Sequence, residues 1–252
     1  MPIFKRILKY DQKAIAQREK RLASRFKISP NSPLRVSITF GHQDFHGRVI
    51  NLSSMGVAIL VPAELPCENN TACRIEFTLD NCRLNLGATV TNHEISSEGV
   101  RFGFKLDLIN IDTRLSYLQL IEPLHIGATL APGKRRSTIA NEYHLNSERY
   151  ISTLGNVLTI WRDVAENTVT GFEFWLADYC VRNGKQPPDL SIFTADENNQ
   201  DDEMAYYDAP TLTRTSKENL EIRKLFRWTI PHLSKDVPDD VKQFLMKYLP
   251  TS

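Results

Sequence analysis

Apolar and polar residues alternate with a period of two through most of the first half of the chain, a pattern that predicts β-strands. Val36, Ile38 and Phe40 alternate with Ser37 and Thr39, Gly41-His42-Gln43-Asp44 turns the chain, and Phe45 to Leu52 continues as strand. Gly56 to Val61 reads as another strand, stopped by Pro62. Ala72 to Leu79 and Arg83 to His93 follow, separated by a turn at Asp80-Asn81. Ser96-Ser97-Glu98-Gly99 turns once more before Val100 to Leu106. Short strands at about 8–12 residue spacing build a small antiparallel barrel or sandwich. Asp112 is placed to cap a helix bearing Leu115, Leu118, Leu120 and Ile121, which closes this module near Pro123.

The flanks have other periods. Residues 3–24 hold Ile3, Phe4, Ile7, Leu8, Ile15 and Leu22 among many charges, a weak helical pattern that ends at the turn-rich Ser29-Pro30-Asn31-Ser32-Pro33. Ala131 to Ser137 reads as a linker. Beyond it, Tyr143 to Leu158 fits helix or strand. Val157 to Trp161 and Thr168 to Cys180 look like a strand pair, although Gly171 to Cys180 also fits a buried helix. Gln186-Pro187-Pro188 breaks the chain, and Leu190 to Thr194 is short and apolar. Thr215 with Glu218 forms a capping box for a helix carrying Leu220, Ile222, Leu225, Phe226 and Trp228. A second helix from about Pro238 carries Val241, Phe244, Leu245 and Tyr248. The expected organisation is a basic N-terminal arm (1–17), a β-barrel domain (18–125), a linker (126–137) and a C-terminal domain (138–252). That makes a mainly β module followed by a mixed α/β or α-rich one.

Composition narrows the class. The 252 residues are 41% hydrophobic and 24% charged, which suits a soluble globular protein rather than a disordered one. The net charge of +1 offers no global attraction for a polyanion, but its distribution is uneven. Residues 1–28 carry nine Lys or Arg against Asp11 and Glu19, while Asp196 to Glu203 holds five carboxylates and no base. A basic arm ahead of a folded module attracts a phosphate-bearing ligand; a solvated helix face explains the same charges. No stretch reaches the roughly 18–20 apolar residues that span a bilayer, and the N-terminus lacks the pattern of a secretory signal. The four cysteines show no CxxC spacing and no nearby histidine pair, so reduced thiols in a cytoplasmic protein are expected rather than a metal site.

Two short motifs carry candidate chemistry. Arg21-Leu22-Ala23-Ser24-Arg25 is an RxxxR, and Asn51-Leu52-Ser53-Ser54-Met55-Gly56 is a [DN]xSxxG lying between predicted strands. Guanidinium groups pair bidentately with phosphate oxygens and with the O6/N7 edge of guanine. Asn51 and Ser53, two apart in an extended chain, point to one face and offer an amide and a hydroxyl. Gly56 supplies a positive-φ turn or a close backbone approach. Each motif alone is weak. RxxxR recurs at Arg223 to Arg227, where one helix face explains it. Glu94-Ile95-Ser96-Ser97-Glu98-Gly99 nearly copies the second motif with Glu first, and marks a hairpin turn.

The ordered pair, with strands around the second motif, resembles the PilZ family over roughly residues 18–125. The resemblance implies a six-stranded antiparallel β-barrel with a C-terminal helix that binds cyclic di-GMP on its outer surface. It further implies that Arg21 and Arg25 hold phosphate and guanine groups, and that Asn51 and Ser53 contact a guanine or a phosphate. Gly56 would then shape the turn. Lys20 resembles members with a basic residue before the first arginine, where a stacked ligand dimer is accommodated; a solvated surface charge is the other reading. Asn51 keeps the acceptor of the more frequent Asp without its charge. The expected role is a non-catalytic receptor whose ligand drives a conformational or partner-binding change, with no further cofactor. A ligand-independent protein-interaction adaptor of the same fold is the alternative. DNA or RNA binding is not expected, for lack of an aromatic-basic strand pattern, and no membrane insertion is expected. His42, His46 and His93 read as surface histidines, and Trp161, Trp175 and Trp228 as core of the second domain. No GxSxG, HExxH or phosphate loop supports catalysis.

Overall fold

A computed structural model describes residues 12–30, 32–62, 68–133, 145–195, 212–214 and 219–249. The chain divides into two compact units, with the boundary between Ala128 and Thr129. Among the described residues, no helix is long and apolar enough to cross a membrane.

The first unit opens with helix α1 (Gln12–Arg21) and a two-residue strand β1 (Phe26–Lys27). Six longer strands follow: β2 (Arg35–Phe40), β3 (Gln43–Ser53), β4 (Gly56–Val61), β5 (Ala72–Leu79), β6 (Cys82–Ser96) and β7 (Gly99–Asp107). All pairings are antiparallel in the order β3-β2-β5-β6-β7-β4, and β4 returns to β3, which closes the barrel. The alternation read from the sequence fills it: Ile38, Ile59, Ile75, Phe77, Val90 and Phe102 are at most 1% exposed. β3 bends between two neighbours. Its first half pairs with β2 as far as Gly47, and the edge that β2 vacates is taken up by β1, with Phe26 opposite Leu52 and Lys27 opposite Asn51. Helix α2 (Ile111–Ala128) ends the unit. Its cap is Asn110, whose Oδ1 accepts from the Asp112 and Thr113 amides, so the expected cap at Asp112 is displaced by two residues. The helix also runs through Pro123 rather than ending there.

The second unit is an antiparallel sheet of seven strands in strict sequence order: β8 (Ala131–Pro132), β9 (Leu145–Ile151), β10 (Val157–Asp163), β11 (Val169–Leu176), β12 (Tyr179–Asn183), β13 (Leu190–Ala195) and β14 (Leu212–Arg214). The expected linker 126–137 thus contains the end of α2 and the short β8; residues 134–137 lie outside the described ones. The alternative helix over Gly171–Cys180 is overturned by the ladders of β11 with β10 and β12. Helix α3 (Asn219–Thr229), a 3₁₀ turn (Ile230–His232) and helix α4 (Asp239–Met246) complete it, an α+β arrangement and not an α-rich one. The core is aromatic. Phe172 stacks on Phe226 at 5.6 Å and meets Tyr248 edge-on at 5.3 Å, and Trp228 is fully buried. Trp161 and Trp175 instead face away from Phe172 and Phe174 and are half-buried, which corrects their expected place in the core. Leu220, expected in the core, is 78% exposed. Buried Arg162 is paired with Glu148 and Asp240, and this guanidinium holds the Asp240 carboxyl below its usual range. The acidic run 196–203 and the Thr215–Glu218 capping box lie outside the described residues.

Candidate functional site

The second motif sits at the tip of the β3–β4 hairpin. Ser53 is opposite Gly56, Leu52 opposite Val57, and Asn51 opposite Ala58. Leu52 points into the barrel at 0% exposed, so Asn51 and Ser53 share the outer face. A bulge between Val49 and Asn51 re-aims the strand just before the motif. The Ser53 hydroxyl donates to the Gly56 carbonyl at 3.3 Å, and from inside the Tyr117 hydroxyl of α2 donates to the Ser53 carbonyl at 2.8 Å. Burial pushes the Tyr117 phenol far up, so it stays protonated and a donor. Gly56 has no positive φ. A Cβ there would lie 2.6 Å from the Phe104 carbonyl oxygen, so glycine is required by the close approach of β7 and not by a left-handed turn.

The first motif is laid along the same strand. Leu22, fully buried, follows the last residue of α1, and its carbonyl accepts from the Ser54 amide at 2.8 Å. Phe26 is buried against β3 and meets the His125 ring edge-on at 5.0 Å, and the Ile28 amide donates to the Ile50 carbonyl at 2.9 Å. The β1–β3 register, carried one pair further, sets Arg25 beside Ser53. Arg21 closes α1 one residue before the Leu22 anchor, and Lys20 precedes it; both side chains are exposed, as is that of Arg25. A bidentate pair between Arg114 of α2 and Glu19 clasps α1 to α2 just before Lys20. The structure therefore brings Arg25, Asn51, Ser53 and Gly56 together, and hangs Arg21 and Lys20 from the adjoining helix end.

Lys27 escaped the sequence reading. It stands opposite Asn51 on the outer face and is exposed. Its spacing of two from Arg25, in a segment read as helix, is the signal that a strand reading would have used. Beside the ledge lies a cleft of about 160 Å³, lined by Arg25, Ala58, Asn92, Glu94, Arg101 and Gly103. A wider one of about 480 Å³ opens past Met55, with Lys105 and Arg114 among its lining. Neither encloses a ligand. The arrangement sets exposed cations, Lys20, Arg21, Arg25 and Lys27, around a polar ledge whose Asn51 and Ser53 are themselves largely covered, a chemistry suited to an anion with hydrogen-bonding edges. His42, His46 and His93 are exposed, and among the described residues no group of three or more His, Cys, Asp or Glu could hold a metal.

A closed six-stranded antiparallel barrel carrying this polar outer ledge is the frame of the first unit. Residues 18–122 match the family model of the PilZ domain, and this part of the chain is a PilZ domain. Among solved structures, the chain is similar to an uncharacterised Legionella protein, Lpg0364, with 12% identity and a TM-score of 0.27 over 40% of this chain and 92% of that one. It is also similar to the PlzA protein of Borreliella burgdorferi in complex with c-di-GMP, with 9% identity and a TM-score of 0.34 over 94% of this chain and 99% of that one. None of the curated proteins matches the chain.

Proposed function

We propose that the protein is a non-catalytic receptor for cyclic di-GMP, which it binds on the outer face of the barrel. The observation that carries this reading is the pairing of β1 with β3, which lays the arginine-bearing segment beside Asn51 and Ser53 in a PilZ domain. Arg21 and Arg25 supply charge-assisted contacts to phosphate and to the guanine O6/N7 edge, and Asn51 and Ser53 supply the neutral donors and acceptors. Lys27 adds a third cation on the same face, and Lys20 extends the basic surface along α1.

Asn51 and Ser53 are only 9% and 6% exposed, so a ligand reaches them through a local rearrangement of the segment beside them. That segment is held by few main-chain bonds and three buried side chains, Leu22, Phe26 and Ile28. Ligand binding orders its arginines against the ledge, and the reshaped surface is what a protein partner reads. Differential affinity of the two arrangements for the ligand drives the change.

Calorimetric titration of the full chain with cyclic di-GMP, with GTP and cyclic di-AMP as controls, tests the reading. Arg21→Ala and Arg25→Ala each remove a contact of about 1.5–3 kcal/mol, one to two decades in affinity. Binding of both variants as tightly as the parent would reject the assignment.

A further inference from the structure

The near-copy of the second motif, Glu94 to Gly99, folds as the original does. Ser96 is opposite Gly99, Ile95 opposite Val100 and Glu94 opposite Arg101, as Ser53, Leu52 and Asn51 are opposite Gly56, Val57 and Ala58. The Ser96 hydroxyl donates to the Gly99 carbonyl at 2.9 Å, matching the bond from Ser53 to Gly56. Each outer strand carries a bulge shortly before its motif, Val49/Asn51 in β3 and Val90/Asn92 in β6. The two hairpins are neighbours, because β4 pairs antiparallel with β7. Shifting the first motif by its sequence offset onto the second maps Ile59 onto Phe102, and these two residues are themselves opposite each other. A local two-fold relation normal to the sheet follows, centred on that pair, with Asn51–Ala58 and Glu94–Arg101 as equivalent pairs.

The space between the equivalent pairs is the cleft lined by Arg25, Ala58, Asn92, Glu94, Arg101 and Gly103. Its floor is small. A Cβ on Gly103 would lie 1.9 Å from Asn92 Oδ1, so the Asn92 amide is laid flat across that glycine. Glu94 and Arg101 stand opposite each other and are exposed, yet no ion pair among the described residues joins them. Opposite charges so placed, and left apart beside a second cation, Arg25, are available to a ligand that carries both donors and an anion.

We propose that the Glu94–Gly99 hairpin is the second half of the binding ledge, where Glu94 reads the Watson–Crick edge of a guanine and Arg101 holds a phosphate. This rests on the cyclic di-GMP reading above. A cyclic dinucleotide consists of two chemically identical halves, and a locally two-fold surface offers each half an equivalent hairpin. Guanine presents N1–H and N2–H donors side by side, which a carboxylate accepts with its two oxygens; adenine presents an acceptor at N1 and is rejected by the same group. Glu94 thus sets base specificity, while the original hairpin and the arginines of the first motif supply most of the affinity.

The test titrates the full chain with cyclic di-GMP and cyclic di-AMP, comparing the parent with Glu94→Gln, Arg101→Gln and Arg25→Ala. Glu94→Gln is expected to lower the selectivity for the guanine ligand about tenfold, and Arg101→Gln to weaken binding about tenfold. Suppose instead that Arg25→Ala loses cyclic di-GMP while Glu94→Gln keeps the parent's selectivity and Arg101→Gln its affinity. The copied hairpin is then no part of the site, and the receptor reading stands without it. Failure of the parent itself to bind cyclic di-GMP overturns both.

Discussion

The two units contain the same number of antiparallel strands and use them in opposite ways. The barrel closes β3 on β4, so its apolar residues meet across its own interior and its outer face is left for chemistry. The second sheet stays open in strict sequence order, and its apolar face is covered by α3 and α4 with a stack of aromatic rings. Closure lets polar side chains such as Asn51, Ser53, Glu94 and Arg101 occupy the outer side of the wall, where the barrel core does not need them. An open sheet has to bury one side, and there the sequence is constrained by packing.

Three measurements probe that contrast. The largest effect is expected from Phe172→Ala, which removes the ring at the centre of the second core. It should cost about 3–5 kcal/mol in denaturant unfolding and leave the cyclic di-GMP affinity unchanged. A parallel loss of affinity would mean that the barrel is not energetically separate.

Acid gives the next effect, and it reaches both units. Burial lowers the His125 imidazole to about 4, and burial also lowers His232. An imidazole depressed in the folded state binds fewer protons there than in the unfolded chain. The stability each contributes is therefore complete above pH 6.5 and is lost as pH falls from there through the depressed folded value, for His125 about 4, at about 1.4 kcal/mol per pH unit. His125 touches Phe26 on the strand that carries the arginine motif. Cyclic di-GMP affinity should accordingly hold down to about pH 5 and weaken as the His125 imidazole charges near pH 4, while Phe26→Leu should shift that onset.

The smallest effect concerns the α1 clasp. Arg114→Ala releases Glu19 from a partly exposed pair and should cost under about 1 kcal/mol in stability. Because the clasp fixes the helix end that bears Lys20 and Arg21, affinity should still fall severalfold. Equal affinity in the two proteins would show that Arg21 needs no such positioning.

The barrel was legible because half-buried antiparallel strands impose a period of two, and the strands from Val36 to Leu106 keep it almost unbroken. The candidate site was legible for a different reason: the recognition of phosphate and guanine proposed for it restricts residue type, so Arg21, Arg25, Asn51 and Ser53 stand out. What escaped depended on register. Lys27 and Arg101 are ordinary surface cations until β1 is laid on β3 and β7 on β6. Gly56 was read as a left-handed turn or a close backbone approach, and nothing in the motif itself shows that the passing Phe104 carbonyl decides for the second. In the second unit, strands such as β11 are apolar runs with little alternation, which fit helix or strand equally until their neighbours are known.

The two-residue β1 has a consequence for dose. Leu22 to Ile28 lies as a strap on a wall that is already closed, seated by the buried Leu22, Phe26 and Ile28, and in the proposed receptor that seating sits in the same balance as ligand capture. Apparent affinity scales with the fraction of molecules whose strap is in the receptive position. Substitutions that merely stiffen or loosen this strap, without touching the dinucleotide, would tune the messenger concentration at which the protein half-responds.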